Sequence, residues 1–138
     1  MRTVTLEAAR ALTAVAEDRA EMLGITVATS VVDGGGNVIA FSRMDGTQLA
    51  SAAISQGKAY TALAWQRPSH EMFAVSQPGQ SGYALQAIDP RFVFAGGGVP
   101  LVDEGRVVGA LGVSGGTADE DRECAEAACA AWSLENAL

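Results

Sequence analysis

Apolar side chains recur at helical spacing near the start of the chain, at Ala8, Leu12, Val15 and Met22. Thr5 has a side-chain oxygen that can cap a helix N-terminus, and Gly24 stands where a helix commonly stops. The pattern predicts an α-helix that begins after Thr5 and ends at about Leu23.

The pattern then changes from helical spacing to short apolar runs. Residues 25–32 are apolar and rich in β-branched side chains, which favour strands. Residues 33–37 read Asp-Gly-Gly-Gly-Asn, a composition typical of a turn, and residues 38–44 form a second extended run. Together these segments predict a β-hairpin.

A longer apolar stretch in the middle of the chain predicts a second helix, over residues 48–65. Pro68 ends it, because proline lacks the backbone N–H that a helix needs and restricts the residue before it. Residues 69–74 predict a short helix capped by Ser69, and residues 77–82 predict a mobile loop.

The C-terminal part alternates extended runs with turns. Residues 92–95, 100–102 and 106–113 predict strands, the last two joined by a turn at residues 103–105. Thr117 and Glu120 have the spacing of a capping box, in which each side chain bonds the backbone N–H of the other residue.

The capping box predicts a last helix that runs to about Leu134 and buries Ala125, Ala128, Cys129 and Trp132. Adjacent strands with short connections indicate an antiparallel sheet. The fold class predicted for residues 1–138 is therefore a single α+β domain, an antiparallel β-sheet flanked by helices.

Composition and net charge limit the classes of partner that we expect this protein to bind. A chain of 138 residues with 49% hydrophobic and 18% charged residues suits one globular domain. The formal net charge of −7 repels phosphate backbones, so nucleic acid is not expected as a partner. No signal-peptide pattern and no apolar stretch of membrane-spanning length is found, which predicts a cytoplasmic protein without membrane contact.

The counts of cysteine and histidine limit which metal sites the chain can form. Cys124 and Cys129 are five positions apart on the last predicted helix, so they face different directions and are expected to be packing residues. His70 is the single histidine, which excludes zinc or iron sites built on several histidines. Haem iron is not excluded, because it needs only one or two protein ligands. His70 is therefore either a surface residue at a helix start, beside Arg67 and Glu71, or the candidate metal ligand.

The glycine clusters at residues 96–98 and 112–116 lack the spacing of nucleotide-binding loops. They still bring bare backbone close to whatever packs there. Lys58 lies in a helix among small apolar residues, where it is either a snorkelling side chain, an anion contact or a reactive amine. Arg43 and Asp45 either pair with each other or face a ligand, and Asp33 is expected to serve its glycine turn.

Three segments carry a family resemblance: VVDGGGNVIAFSRMDG, the helix with GKAYTALAW followed by RPS, and FAGGGVPLVDEGRVVGALGVSGGTADED. With these the chain resembles the GlcG/HbpS-like family of haem-binding or haem-associated proteins, which also occurs as the C-terminal domain of PduO-type proteins. The resemblance implies a profilin-like fold that assembles into dimers or higher homo-oligomers. It also places the family's recurring positions at Asp33, Arg43, Asp45, Lys58, Thr61, Gly97, Gly98, Ser114, Gly115 and Asp121.

The leading hypothesis is an oligomeric haem-binding accessory protein that holds haem in an apolar groove between helix and sheet, with His70 as the candidate axial ligand. The haem propionates would lie near Arg43, Lys58 or Arg67. The corner formed by Ser114, Gly115 and Gly116 would be a further contact to the cofactor.

Two alternatives stay open beside the haem hypothesis. One is an enzyme for a small anionic or carbonyl metabolite, with Lys58, Arg43 and Asp45 as catalytic residues and backbone N–H groups of residues 114–116 as oxyanion donors. The other is a structural assembly module without a ligand.

Overall fold

A computed structural model describes the chain from residue 2 to residue 137, with side chains as far as residue 135. The first and last residues of the predicted domain, 1 and 138, lie outside the described residues. The helices are α1 (Leu6–Leu23), α2 (Ala50–Trp65), α3 (Ser69–Val75) and α4 (Ala118–Ala137). The strands are β1 (Ala28–Asp33), β2 (Val38–Arg43), β3 (Gly98–Asp103) and β4 (Arg106–Ser114), and a short 3-10 helix spans Leu85–Ile88.

The four strands form one antiparallel sheet in the order β2-β1-β4-β3. Residues 28–32 of β1 pair with residues 38–43 of β2 on one side. On the other side, residues 28–33 of β1 pair with residues 109–114 of β4. The predicted hairpin and the α+β fold class are confirmed.

Helices cover the sheet in two groups. Helices α1 and α4 pack on each other and on the strands, around a core that includes Leu12, Val31, Leu111 and Trp132. Helix α2 packs mainly on β4, β1 and β3, where Ala59 and Ala62 meet Val32 and Ala110. None of the helices that the structure describes is both long and apolar enough to cross a membrane.

Local caps form as the sequence predicts. Thr5 Oγ1 accepts a hydrogen bond from Ala8 N at 3.1 Å, and Gly24 ends α1 in the left-handed region with φ of 73°. Thr117 and Glu120 form both bonds of the capping box. Met22 is an exception on the predicted apolar face of α1, because its side chain is 78% exposed.

Two details differ from the sequence-based expectation. Residues 92–95 form a loop and not a strand, because Phe92 and Phe94 pack their rings against the aromatic side chains of α2 and pair with no strand. Ser69 does not cap α3: its hydroxyl donates to Ala95 O and accepts from Gly98 N at 2.8 Å. Ser69 therefore fixes α3 to the start of β3.

Candidate functional site

A buried ion pair joins α2 to α4. Lys58 lies in α2 and is only 3% exposed, and its Nζ donates to Asp121 Oδ2 at 2.9 Å and to Val113 O at 3.0 Å. Asp121 Oδ1 accepts from Gly116 N at 2.8 Å. The ammonium and the carboxylate thus satisfy each other and two backbone groups.

Glycines allow the backbone around the Lys58–Asp121 pair to pack closely. A Cβ at Gly97 would lie 2.5 Å from Val113 O and 3.0 Å from Lys58 Nζ, and Gly97 has φ of 126°. A Cβ at Gly98 would overlap Lys58 O, and one at Gly115 would overlap Thr26 O. Backbone of α2 lies against Gly98 and Gly112, and the segment before β1 lies against Gly115, so the protein itself covers the bare backbone of both glycine clusters.

The structure brings some of the predicted site residues together and separates others. Lys58 lies against the corner at residues 114–116 through Val113 and Asp121, and Ser114 is itself buried. Arg43 and Asp45 are exposed at the end of β2, and the described residues contain no ion pair between them. The catalytic and cofactor roles of these residues stay predictions.

His70 lines an apolar cavity of about 230 Å³ at the start of α4. The cavity is bounded by Phe73 of α3, the backbone at Ala95 and Gly96, and the first turns of α4 with Asp119 and Arg122. No described side chain donates a hydrogen bond to the half-buried imidazole or accepts one from it. Arg67 does not line the cavity, because its guanidinium pairs with Glu71 at 2.9 Å on the surface of α3.

A second cavity of about 400 Å³ lies between helix and sheet, where the sequence predicts an apolar groove, but none of the predicted site residues lines it. We call it the α2 cleft. It is lined by residues of β1, the turn before β2, α2 and the loop before β3: Val32, Gly36, Val38, Ala53, Ile54, Gln56, Gly57, Tyr60, Pro90, Arg91 and Val93. Neither cavity is lined by Lys58 or by residues 114–116.

The two cysteines are the other potential metal ligands that the sequence contains. Cys124 and Cys129 are free, as expected from their spacing, and burial raises the pKa of both thiols, for Cys124 to about 11. Among the described residues there is no group of three histidine, cysteine or acidic side chains that could hold a metal ion.

Comparison with known proteins decides the family. The model of the family described as "Haem degrading protein HbpS-like" matches residues 4–130. The chain belongs to the HbpS-like family. This confirms the resemblance on which the GlcG/HbpS-like prediction rested.

Individual HbpS-like relatives agree with this assignment over most of the chain. A 15.0 kDa protein of Citrobacter freundii, encoded between dhaT and dhaS, is 43% identical over 132 residues, which span 95% of this chain and 93% of that protein. The crystal structure of Klebsiella pneumoniae protein ORFY is similar with a TM-score of 0.93 and 40% identity, covering 96% of this chain and 92% of that one.

A haem complex stands among the similar structures. The crystal structure of the PduOC:heme complex has a TM-score of 0.90 and 34% identity, and the match covers 94% of this chain and 95% of that one. The same fold therefore binds haem in that protein.

Proposed function

We propose that this HbpS-like chain binds haem at the cavity beside His70. The observation that carries the proposal is the position of the single imidazole: it lines an apolar cavity and has no hydrogen bond to a described residue. A histidine nitrogen with a free lone pair is a common axial ligand of haem iron. Haem supplies an iron centre that can bind a further ligand and change its oxidation state.

The other side chains of the cavity fit the remaining parts of haem. Phe73 is 55% exposed and offers an aromatic surface for packing against a porphyrin edge. Arg122 offers a guanidinium for a propionate, since its present partner Glu126 is exposed and Arg–carboxylate pairs form readily at surfaces. Asp119 adds a negative charge that opposes the propionates.

The size of the cavity supports a shallow site that encloses one edge of the porphyrin. A second copy of the chain would then cover the exposed part, in line with the oligomer that the family resemblance implies. We expect analytical ultracentrifugation to detect a homo-oligomer in solution. Hemin should shift the distribution further toward that species, because a ligand held between copies stabilises the assembled form.

Hemin titration of the purified protein tests the haem site. We expect a saturable Soret band whose position changes in His70→Ala, because no other imidazole is present to replace the lost ligand. Arg122→Ala should weaken hemin binding, by about threefold to tenfold for one surface charge pair. Asp119→Asn should strengthen it.

Arg67→Ala is the matched control, because Arg67 and Arg122 each pair with a glutamate four residues later. Hemin affinity should be unchanged in Arg67→Ala if the propionate contact is at Arg122. If Arg67→Ala weakens hemin binding and Arg122→Ala does not, the propionate contact is at Arg67, which is one of the positions suggested by the sequence. If the Soret band is unchanged in His70→Ala and lost in Tyr60→Phe, haem binds in the α2 cleft and not beside His70. If hemin shows no saturable binding, the proposal is wrong.

A further inference from the structure

The α2 cleft shares no lining residue with the His70 cavity and is not needed for the proposed haem site. Its volume of about 400 Å³ lies within the range of small-molecule sites. Its walls are mainly aliphatic, with Val32, Ile54 and Val93 among them, and its polar groups are the side chains of Gln56, Tyr60 and Arg91.

Gly57 allows the cleft to form. A Cβ at this position in the middle of α2 would lie 2.8 Å from Arg91 O and would overlap the side chain of Val93. The glycine therefore lets the loop before β3 lie directly against the helix. This close contact fixes the backbone of Arg91 and gives the cleft a defined wall.

The guanidinium of Arg91 is held as a fixed plane. Asp89 accepts two hydrogen bonds from it, from Nε at 3.1 Å and from Nη2 at 2.7 Å, and Cζ lies 3.9 Å from the centroid of the Tyr60 ring. These hydrogen bonds lower the pKa of Asp89, and they raise the pKa of Arg91. Tyr60 is itself stacked on Phe92, with ring centroids 5.9 Å apart.

Tyr60 covers one face of this plane, and the Arg91 side chain is still 61% exposed. A planar guanidinium stacks on the face of an aromatic ring, and a side chain that is already oriented loses little freedom on binding. The charge of Arg91 is already balanced by Asp89, and the whole chain carries a net charge of −7. The arrangement therefore favours an uncharged aromatic ring over an anion.

We propose that the α2 cleft binds a planar, uncharged heteroaromatic molecule, whose ring stacks on Arg91 and whose polar edge is bonded by the Gln56 carboxamide. The aliphatic walls bury the ring, and the amide both donates and accepts, which suits the adjacent nitrogen and carbonyl groups of a heteroaromatic edge. The proposal is independent of haem binding.

Riboflavin and its phosphate ester FMN are suitable probes, because they share one fluorescent ring and differ in charge. We expect saturable quenching of riboflavin fluorescence by the purified protein, with FMN bound no more tightly. Arg91→Ala should weaken riboflavin binding by about tenfold, and Arg91→Lys should not restore it, because an ammonium keeps the charge and loses the plane. Tighter binding of FMN by tenfold or more would replace the proposal with an anion site.

Ala53→Leu provides a variant that fills the cleft, and Ala64→Leu is its matched control. Both alanines are exposed on α2, and only Ala53 lines the cleft. Riboflavin binding should be lost in Ala53→Leu and retained in Ala64→Leu, while the hemin titration stays unchanged in both. The proposal is wrong if riboflavin binding is lost in His70→Ala and kept in Ala53→Leu, or if riboflavin fluorescence shows no saturable quenching. Neither result would contradict the proposed haem site.

Discussion

Lys58 Nζ and Asp121 Oδ2 lie 2.9 Å apart in the interior, although 63 positions separate the two residues in the chain. The pair connects α2 to the first turn of α4 beside the end of β4. Both side chains are almost fully buried, so each charge depends on the other for its partner. We therefore assign the pair a role in holding these three elements together.

Removal of one partner should destabilise the fold strongly. We expect Lys58→Met to lower the free energy of unfolding by about 3 to 5 kcal/mol, because it leaves the Asp121 carboxylate buried without its cation. Urea denaturation measures the change. Combining Lys58→Met with Asp121→Asn should cost less than the sum of the two single changes, since the buried charge is then absent.

The exposed pair between Arg67 and Glu71 is the control for this prediction. Arg67→Ala should change the free energy of unfolding by less than about 1 kcal/mol, because a surface ion pair contributes little. Equal effects of Lys58→Met and Arg67→Ala would contradict the structural role of Lys58.

Gly112 is predicted to be intolerant of any side chain. A Cβ there would overlap Ser55 O and lie 2.6 Å from Ala59 N, so β4 and α2 would have to move apart. We expect Gly112→Ala to cost about 1 to 3 kcal/mol or more by thermal or urea unfolding. Gly34→Ala is the matched substitution, because its Cβ would lie 3.4 Å from Val108 O in ordinary contact. A loss of stability in Gly34→Ala as large as that in Gly112→Ala would refute the steric explanation.

The thiol of Cys124 should be almost inert in the folded protein. Burial raises its pKa from 9.0 to about 11, and the thiolate is the reactive form. At pH 8 a disulfide reagent should modify Cys124 only after urea is added, as measured in Cys129→Ala. In Cys124→Ala the remaining, partly buried Cys129 should react sooner.

The same shift in the pKa of Cys124 predicts a dependence of stability on pH. The folded state keeps its proton to higher pH than the unfolded state, so stability is full below about pH 9 and falls as the pH rises toward 11. The free energy of unfolding of the wild type should therefore fall more over this interval than that of Cys124→Ala. Parallel pH profiles would show that the thiol does not ionise on unfolding.

Asp33 should contribute stability that is lost in acid. Its carboxylate accepts hydrogen bonds from Asn37 N at 3.0 Å and Gly35 N at 2.9 Å, and these bonds, Asn37 first, lower its pKa below 3.8. The contribution is present above that value and disappears as the pH falls through the lowered pKa. The stability difference between wild type and Asp33→Ala should shrink on acidification.

Asp33→Asn is the control, because it keeps an acceptor oxygen and does not titrate in this range. The stability difference between Asp33→Asn and Asp33→Ala should stay constant between pH 6 and pH 3. If wild type and Asp33→Asn respond identically to acid, the proton uptake occurs elsewhere.

The sequence predicted well those features that depend on neighbouring residues. The caps at Thr5 and Thr117, the turn at Asp33 and the stop at Gly24 are each made by residues within a few positions of one another. Residues 92–95 were misjudged because a β-prone composition does not tell whether a strand partner is present.

The site residues were harder to interpret. Lys58 is unusual in the sequence because it lies among small apolar residues, but no local pattern joins it to its partner Asp121, which lies 63 positions later in the chain. The sequence predicts an apolar groove between helix and sheet, but it does not indicate that the segment Asp89-Pro90-Arg91-Phe92 brings Pro90 and Arg91 to the wall of the α2 cleft. Nothing in that segment alone indicates that Tyr60 lies beneath Arg91.

Apart from residues 92–95, the sequence by itself determined the order of helices and strands, the antiparallel sheet and the family, because hydrophobic period, caps and turns act over short distances. Only the tertiary structure decided what lies against the glycine clusters: the backbone of α2 and the pair of Lys58 with Asp121. It also separated the His70 cavity from the α2 cleft. Both outcomes depend on which distant segments pack together, and such packing is set by the complementary shapes of the whole chain.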